Sequence, residues 1–226
     1  MLRFSLAVMA GLAAAPSLAA DAGHPLVIEL FQSQGCSSCP PANANVMAIA
    51  DRPDILALSW QVTYWDQLGW KDTFARPAFT ARQWDYAHGL HHDNVATPQV
   101  VVNGRVDGVG IRRAELDQLV RSGDRGDSGP AIRIMADRVV ILGLGPNAKV
   151  LMVRYDPHVL RVPIGAGENS GVTLPHRNVV RQLAVLGDWR GGFGAYRLPS
   201  PEPGGLKTAI LVQQGPGGPI LAAAHD

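Results

Sequence analysis

The sequence has no excess of basic residues and no arginine-rich run. It contains 20 Lys and Arg residues against 19 Asp and Glu residues, and Arg3 lies in a segment that we expect to be removed. Residues 21–226 then carry 19 side chains of each sign. A neutral chain without a basic patch does not attract a phosphate backbone, so we expect no nucleic-acid partner.

Long apolar runs are also absent, apart from a short one near the N-terminus. Residues 4–15 are nearly all apolar; they follow Arg3 and precede small residues at positions 17–20. This arrangement is typical of a secretory signal peptide, 1–20, with cleavage after Ala19 or Ala20. The run is too short to span a bilayer, so we expect no membrane span after cleavage and a periplasmic or secreted protein.

Cysteine is scarce: both cysteines of the chain lie in residues 35–41, GCSSCPP, as Cys36 and Cys39. An exported protein resides where disulfides persist. The preceding residues 26–31 are apolar apart from Glu29 and predict a buried strand, and residues 40–52 predict a helix. A Cys-x-x-Cys pair at a strand-to-helix junction is typical of a thioredoxin-like redox site.

A cysteine at the start of a helix is expected to be reactive for an electrostatic reason. Unpaired N–H groups and the positive end of the helix dipole stabilise a thiolate there. A free cysteine is only about 3% thiolate at pH 7, whereas a pKa near 6 gives about 90%. We therefore expect Cys36 to attack and Cys39 to resolve. The alternative is a structural disulfide, which is disfavoured because a four-residue ring removes only about 2 kcal/mol of unfolded-state entropy.

The predicted elements divide the chain into two parts. Residues 21–123 predict the order strand, helix, strand, helix, strand, strand, helix, with Asn103-Gly104 as a hairpin turn that needs positive φ. Residues 124–130 form a linker by composition. Residues 131–226 predict several short strands between Gly and Pro clusters, as in a small antiparallel sandwich or barrel, and no long helix.

The first hundred residues after the signal resemble the thioredoxin superfamily. The resemblance rests on the first strand, on the Cys36–Cys39 stretch at a helix start, and on Thr97-Pro98 before a later hairpin. It implies an α/β class, with a thioredoxin-like N-terminal domain. It also implies that Pro98 is cis and faces the dithiol, and that Thr97 lines the substrate groove.

More narrowly, the chain after the signal resembles an exported bacterial family known as domain of unknown function 1223. Residues 28–41, 64–72 and 97–104 carry this resemblance. It implies a thioredoxin-like domain with a C-terminal β-rich extension, and no established reaction. The chain departs from ordinary thioredoxins, because Gly35 stands where a Trp usually precedes the first cysteine and Ser37-Ser38 replaces Gly-Pro.

Three further side chains are candidates for supporting roles, each with an alternative. Glu29 is either a buried proton acceptor for Cys39 or part of an ordinary ion pair on the outer side of the strand. Trp65 and Asp66 follow the second predicted strand, where ligands collect in parallel sheets. They either line the groove beside the dithiol, or the Trp closes the core and the Asp caps a turn.

Two other stretches favour no site. His91-His92-Asp93 lacks the usual zinc spacing and is interpreted as a surface loop, with copper or zinc binding together with the cysteines as the weaker reading. Residues 165–171 are Gly-rich, but no P-loop lysine follows, so we interpret them as a loop that could face the first part.

The sequence thus predicts thiol–disulfide exchange through Cys36, Cys39 and Pro98, without metal or cofactor. The substrate would be a protein or a small thiol or disulfide. The alternative is a non-catalytic protein that binds copper or a polypeptide on the same scaffold, because a fold alone does not establish chemistry.

Overall fold

The computed structural model describes residues 19–200 and 204–226, which form a mixed α/β fold with few helices. The predicted signal peptide falls almost entirely on residues 1–18 and so lies outside the described residues. No helix in the described ranges has the length and apolar character needed to cross a membrane.

The helices are α1 (Cys39–Ile49), α2 (Pro77–Gly89) and α3 (Arg113–Gly123). The strands are β1 (Leu26–Gln32), β2 (Ile55–Gln61), β3 (Gln99–Val102), β4 (Val106–Gly108), β5 (Ala131–Ile134), β6 (Arg138–Gly143), β7 (Ala148–Asp156), β8 (Leu160–Pro163), β9 (Thr173–His176), β10 (Val179–Trp189), β11 (Gly192–Arg197), β12 (Lys207–Gln213) and β13 (Ile220–His225).

Eight of these strands form one mixed sheet in the order β13-β12-β7-β10-β2-β1-β3-β4. The β1–β2 and β2–β10 pairs are parallel, and the other neighbours are antiparallel. Every residue of β1 and of β2 is buried, which confirms the expectation of a buried first strand. The sheet centre is thus covered on both faces, as parallel strands require.

The two faces of the large sheet are covered differently. On one face α2 packs against a core that includes Phe31, Trp60 and Tyr86 and continues into β7, β12 and β13. On the other face α1 and α3 cover β1–β3, with Leu30, Val46 and Leu116 in the contact. The same face of β7 and β12 is covered by a three-stranded sheet, β11-β6-β5.

The two predicted parts of the chain share this sheet. β2 has a free edge after β1, β3 and β4 have paired, and an open edge of a buried strand leaves backbone groups unsatisfied. β10 occupies that edge, with Val179 opposite Ser59, and Asn178 Nδ2 donates to the carbonyl oxygen of Ala57 at 2.9 Å. The division of the chain into two domains at residues 124–130 stays a prediction. The large sheet and its core contain strands from both parts of the chain.

The predicted hairpin between β3 and β4 is confirmed. Asn103 and Gly104 have φ values of 48° and 61°, the left-handed region that favours these residue types. Val102 pairs with Val106, so three residues separate the strands instead of the two of a type I′ turn. A Cβ on Gly104 would also lie 2.3 Å from the carbonyl oxygen of Gly218, which explains the glycine there.

Candidate functional site

Cys36 and Cys39 form a disulfide between the end of β1 and the start of α1. α1 begins at Cys39, and its first turn carries no acidic side chain. Pro40 has no N–H and the Cys39 N–H donates to the Cys36 carbonyl oxygen at 3.2 Å, so the electropositive character of this end comes from the helix dipole. The Ser38 hydroxyl lies 3.4 Å from the Cys36 sulfur, where it can donate a hydrogen bond to a thiolate. The two cysteines are only 0% and 1% exposed, so Cys36 is no more accessible than Cys39.

The Thr97–Pro98 segment lies beside this turn, and its peptide bond is cis. The Thr97 carbonyl oxygen accepts a hydrogen bond from the Ser38 hydroxyl at 3.5 Å. The Thr97 hydroxyl accepts another from the Trp65 indole nitrogen at 2.8 Å. The structure therefore brings Thr97, Pro98 and Trp65 together at the dithiol turn.

Asp66 contacts the loop after β2 and does not reach the dithiol turn through a hydrogen bond. Its carboxylate accepts the backbone N–H of Asp72 at 3.0 Å, which is the turn-capping role. Asp72 itself is buried and accepts the backbone N–H of Gln34 at 2.7 Å. Burial raises the pKa of Asp72 to about 6. Trp70 donates to the Gln34 side-chain oxygen at 2.9 Å, so this loop fixes the chain two residues before Cys36.

Asp72 and Gln34 were not predicted as site residues. Gln34 lies in the stretch 28–41 and Asp72 in the stretch 64–72. The sequence feature that could have identified them is a polar side chain inside each of these two motifs. Their contact joins residues 38 positions apart, which no local pattern reveals.

A loop from the C-terminal part, residues 164–172, is hydrogen-bonded to the turn that carries Cys36; we call it the cover loop. It is closed at its base, where Gly171 N donates to the Ile164 carbonyl oxygen at 2.8 Å. Asn169 Nδ2 donates to the carbonyl oxygens of Gln34 and Cys36 at 2.9 and 3.0 Å. The buried Asn169 therefore holds the cover loop on the segment that carries Cys36.

A second set of hydrogen bonds, formed by Glu168 with Ser37, holds the cover loop at the protein surface. One oxygen of the Glu168 carboxylate accepts the Ser37 backbone N–H at 3.0 Å and the Ser37 hydroxyl at 2.7 Å. These bonds lower the pKa of Glu168. Gly165 and Gly167 lie so close to Trp70 that a Cβ would come within 3.1 and 3.2 Å of its side chain. The Gly-rich stretch 165–171 thus packs closely against Trp70. This confirms the expectation that it faces the first part of the chain.

Glu29 lies away from the dithiol. Its carboxylate is fully buried and forms a bidentate ion pair with Arg82 at 2.7 and 2.9 Å, and the Tyr86 hydroxyl also donates to it. Arg82 and Tyr86 belong to α2, whereas Cys39 begins α1 on the opposite face of the sheet. The carboxylate is therefore part of a buried ion pair in the α2-side core, and neither surface-exposed nor beside Cys39.

The comparisons with known proteins decide the family. A model described as protein of unknown function (DUF1223) matches residues 27–213, which include the disulfide, the Thr97–Pro98 segment and the cover loop. The chain belongs to the DUF1223 family. No curated protein matches it significantly.

Two solved structures resemble this DUF1223 protein. A crystal structure of a protein from Agrobacterium tumefaciens is 27% identical, with a TM-score of 0.71, and the match covers 88% of this chain and 92% of that one. HBP35 of Porphyromonas gingivalis is 12% identical, with a TM-score of 0.60, over 90% of this chain and 75% of that one. At 12% identity the second likeness concerns the fold alone.

The DUF1223 protein also has a cavity of about 220 Å³ beside the disulfide. It lies between the start of α1 and β9, and Cys39, Asn43 and His176 are among its lining residues. His176 is buried, and neither of its ring nitrogens has a hydrogen-bond partner in the described part of the chain. Sequence reasoning did not identify this histidine, because 137 residues separate it from Cys39.

Residues suited to a metal are not clustered. Within residues 19–200 and 204–226, no group of three or more His, Cys, Asp and Glu side chains could hold an ion. His92 pairs with Asp107 at 3.0 Å, and His91 and Asp93 are exposed. The stretch 91–93 is therefore a surface loop.

Proposed function

We propose that this protein is an exported thiol–disulfide oxidoreductase, acting through Cys36 and Cys39 in a thioredoxin-like N-terminal part with a β-rich extension. The observation that carries the proposal is the disulfide at the electropositive start of α1, joined through Ser38 to the Thr97–Pro98 segment. A short bridge at a helix N-terminus has the position that lowers a cysteine pKa. Residues 1–20 support export, since they have the composition of a signal peptide.

In the reaction that we propose, the reduced protein attacks a disulfide of its substrate. The Cys36 thiolate forms a bond to one substrate sulfur, and the other substrate sulfur leaves as a thiolate. Cys39 then loses its proton and attacks the Cys36 sulfur. The Cys36–Cys39 bond re-forms, the second substrate thiolate leaves, and the substrate has gained two electrons. The reverse sequence oxidises a substrate dithiol.

Ser38 and Thr97 contribute to this chemistry through hydrogen bonds. In the reduced protein the Ser38 hydroxyl can turn its single proton from the Thr97 carbonyl oxygen to the Cys36 thiolate, which favours the charged form of the thiol. Thr97 is held in place by Trp65, and its backbone lies next to the turn where an extended substrate would pass. Hydrogen bonding through substrate backbone needs no particular substrate sequence, so these contacts suit a polypeptide substrate.

Both cysteines are buried, so exchange requires some of the surrounding residues to move, and we propose that the cover loop is the part that moves. Asn169 and Glu168 hold the loop by four hydrogen bonds to residues 34–37. None of these bonds involves a sulfur atom, so opening the loop leaves the disulfide turn itself intact. The cover loop then controls how often a substrate reaches Cys36.

The deciding experiment traps a mixed disulfide. In Cys39→Ala the attacking Cys36 remains and the resolving thiol is missing, so a substrate stays attached and is seen as a reductant-sensitive band. Cys36→Ser keeps the other cysteine and is the matched control. Trapping in Cys39→Ala but not in Cys36→Ser supports exchange, and no trapping in either variant removes the main support.

The reduction potential of the disulfide gives a second, independent measure. Exchange proteins lie at roughly −120 to −270 mV, whereas structural disulfides lie below about −300 mV. Equilibration with glutathione buffers measures the value directly. A potential below about −300 mV would mean a locked structural bridge and would overturn the proposal.

Binding of a polypeptide without exchange is the second candidate. A cavity of about 400 Å³ adjoins the dithiol side of the molecule, lined by Pro98, Gln99 and Asp107 among others. Peptide binding there that is equal in the wild type and in Cys36→Ser would favour this candidate. Binding that depends on Cys36 favours exchange instead.

A further inference from the structure

The cavity beside Cys39 is lined by a buried histidine that has no hydrogen-bond partner among the residues the structure describes. The cavity measures about 220 Å³, and Leu174 and Pro175 of β9 form part of its wall opposite Cys39 and Pro40. A water needs about 30 Å³, so the space is large enough to admit one. His176, at the end of β9, lines the same space and is 1% exposed.

The imidazole of His176 is unusual because neither nitrogen forms a hydrogen bond within the described residues. Buried polar atoms are almost always paired, since an unpaired one costs free energy, and an exception indicates a functional role or a bound water. Burial lowers the pKa of His176 to about 4. The ring is therefore neutral at neutral pH in the oxidised protein, and it holds a proton only when a thiolate at Cys39 stabilises the imidazolium.

No other charged group takes part in the cavity. Among the lining residues, Cys39 and His176 are the two that titrate. Of the arginines that follow His176, Arg177 pairs with Asp51 at 2.7 Å, and Arg181 lies over the Phe74 ring, 4.3 Å from its centroid. Phe74 contacts the imidazole edge-on, with ring centroids 6.0 Å apart. Besides Cys39, the polar residues that line the cavity with His176 are Gln32, Ser33 and Asn43.

The position of Glu29 leaves the role of proton acceptor open. The carboxylate of Glu29 lies on the α2 face of the sheet and is occupied by Arg82. Resolution nevertheless requires a base for Cys39, because the thiol is not a nucleophile until it loses its proton. On the α1 face the group that shares a cavity with Cys39 is His176.

We propose that His176 is the proton acceptor for the Cys39 thiol, directly or through one water in the cavity, when the disulfide re-forms. This inference rests on the proposed exchange through Cys36 and Cys39. The proton moves from Cys39 to the imidazole, the Cys39 sulfur bonds to the Cys36 sulfur, and the substrate thiolate leaves. The imidazolium returns the proton to water or to the departing thiolate, so charge and electrons balance.

A two-phase reaction with dithiobis(nitrobenzoate) tests this role in the reduced full-length protein. Attack by Cys36 releases one nitrothiobenzoate, and resolution by Cys39 releases the second. His176→Gln keeps a hydrogen-bonding side chain but accepts no proton, and it should slow the second phase about 100-fold at pH 7. The first phase should keep its wild-type rate. The difference should shrink as the pH approaches the ordinary thiol pKa of about 8.5, where Cys39 ionises by itself.

The controls separate this role from a structural one. His158→Gln changes an exposed histidine and should leave both phases unchanged. A proton titration of His176 by NMR should show a higher pKa in the reduced protein than in the oxidised one, because only the reduced form offers a thiolate partner. This titration uses the wild type and so decides the matter if His176→Gln fails to fold.

Two outcomes would overturn the inference. One is a second phase of His176→Gln with the wild-type rate at every pH, and the other is a His176 pKa that is equal in the oxidised and reduced proteins. Both leave the first phase in place and so leave the proposed exchange intact. The absence of a first phase in the wild type is different, because it would refute the exchange itself and this inference with it.

Discussion

Replacing Asn169 with alanine should uncover the Cys36–Cys39 disulfide without unfolding the protein. The substitution removes the two hydrogen bonds from Nδ2 to the carbonyl oxygens of Gln34 and Cys36, at 2.9 and 3.0 Å. A hydrogen bond of this kind contributes about 0.5–1.5 kcal/mol, so the closed cover loop loses about 1–3 kcal/mol. The open population then rises by a factor of about 5 to 150.

The rate at which a water-soluble phosphine reduces the disulfide measures this population. When the loop opens and closes faster than the reagent reacts, the rate is proportional to the fraction of open molecules. Ser170→Ala is the matched control, because Ser170 is an exposed neighbour whose hydroxyl bonds within the cover loop, to the Gly165 carbonyl oxygen. Urea unfolding of each variant verifies that the global stability remains similar.

Equal reduction rates of the two variants would refute this reasoning. If Asn169→Ala is reduced no faster than Ser170→Ala while both stay folded, the cover loop does not limit access to the disulfide. The buried state of the cysteines would then depend on the turn itself, and the step of loop opening would have to be removed from the proposed reaction.

Three further predictions concern three acidic side chains, Glu168 and Asp72 near the dithiol turn and Glu29 on the opposite face of the sheet. Hydrogen bonds from Ser37 lower the pKa of Glu168, so its contribution to the closed loop is present above the ordinary carboxyl pKa and is lost as the pH falls through the lowered value. The phosphine reduction rate should therefore rise in acid, and Glu168→Gln should remove that rise. Glu29→Gln leaves Arg82 buried without its partner and should cost about 3–5 kcal/mol in urea unfolding, with the rate of Cys39 resolution unchanged; slower resolution at unchanged stability would contradict the placement of this ion pair. Burial raises the pKa of Asp72 to about 6, so the folded state binds this proton more tightly, and the group stabilises the fold increasingly as the pH falls through 6. Urea midpoints of the wild type and Asp72→Asn on both sides of that pH should show this dependence only in the wild type.

The elements that follow local rules could be predicted from the sequence. The apolar run of β1, the prolines at the start of α1 and the Asn103-Gly104 turn each have a short-range physical cause. The same holds for the absence of a long helix in residues 131–200 and 204–226, where Gly and Pro separate the apolar runs. These features depend on the backbone preferences of a few consecutive residues.

The direction of Glu29 could not be predicted, although its strand could. A strand alternates its faces, and residue types alone do not tell which face meets α1 and which meets α2. The partner of Glu29 is Arg82, 53 residues later in the chain, so the ion pair forms only when α2 packs on the sheet. His176 could not be predicted as a site residue for a similar reason. The sequence shows a single histidine at the end of a strand, and only the tertiary structure shows that it lines the cavity beside Cys39.

The sequence by itself determined the place of the disulfide turn, because both cysteines of the chain lie two residues apart between a buried strand and a helix that starts with prolines. Tertiary structure decided what surrounds that turn. The open edge of β2 is filled by β10, and this pairing carries β8, β9 and the cover loop with it, so that Asn169 and His176 reach the cysteines. Local backbone preferences act over a few residues, whereas the side chains of Glu168 and Asn169 that contact the turn come from a segment more than 120 residues away.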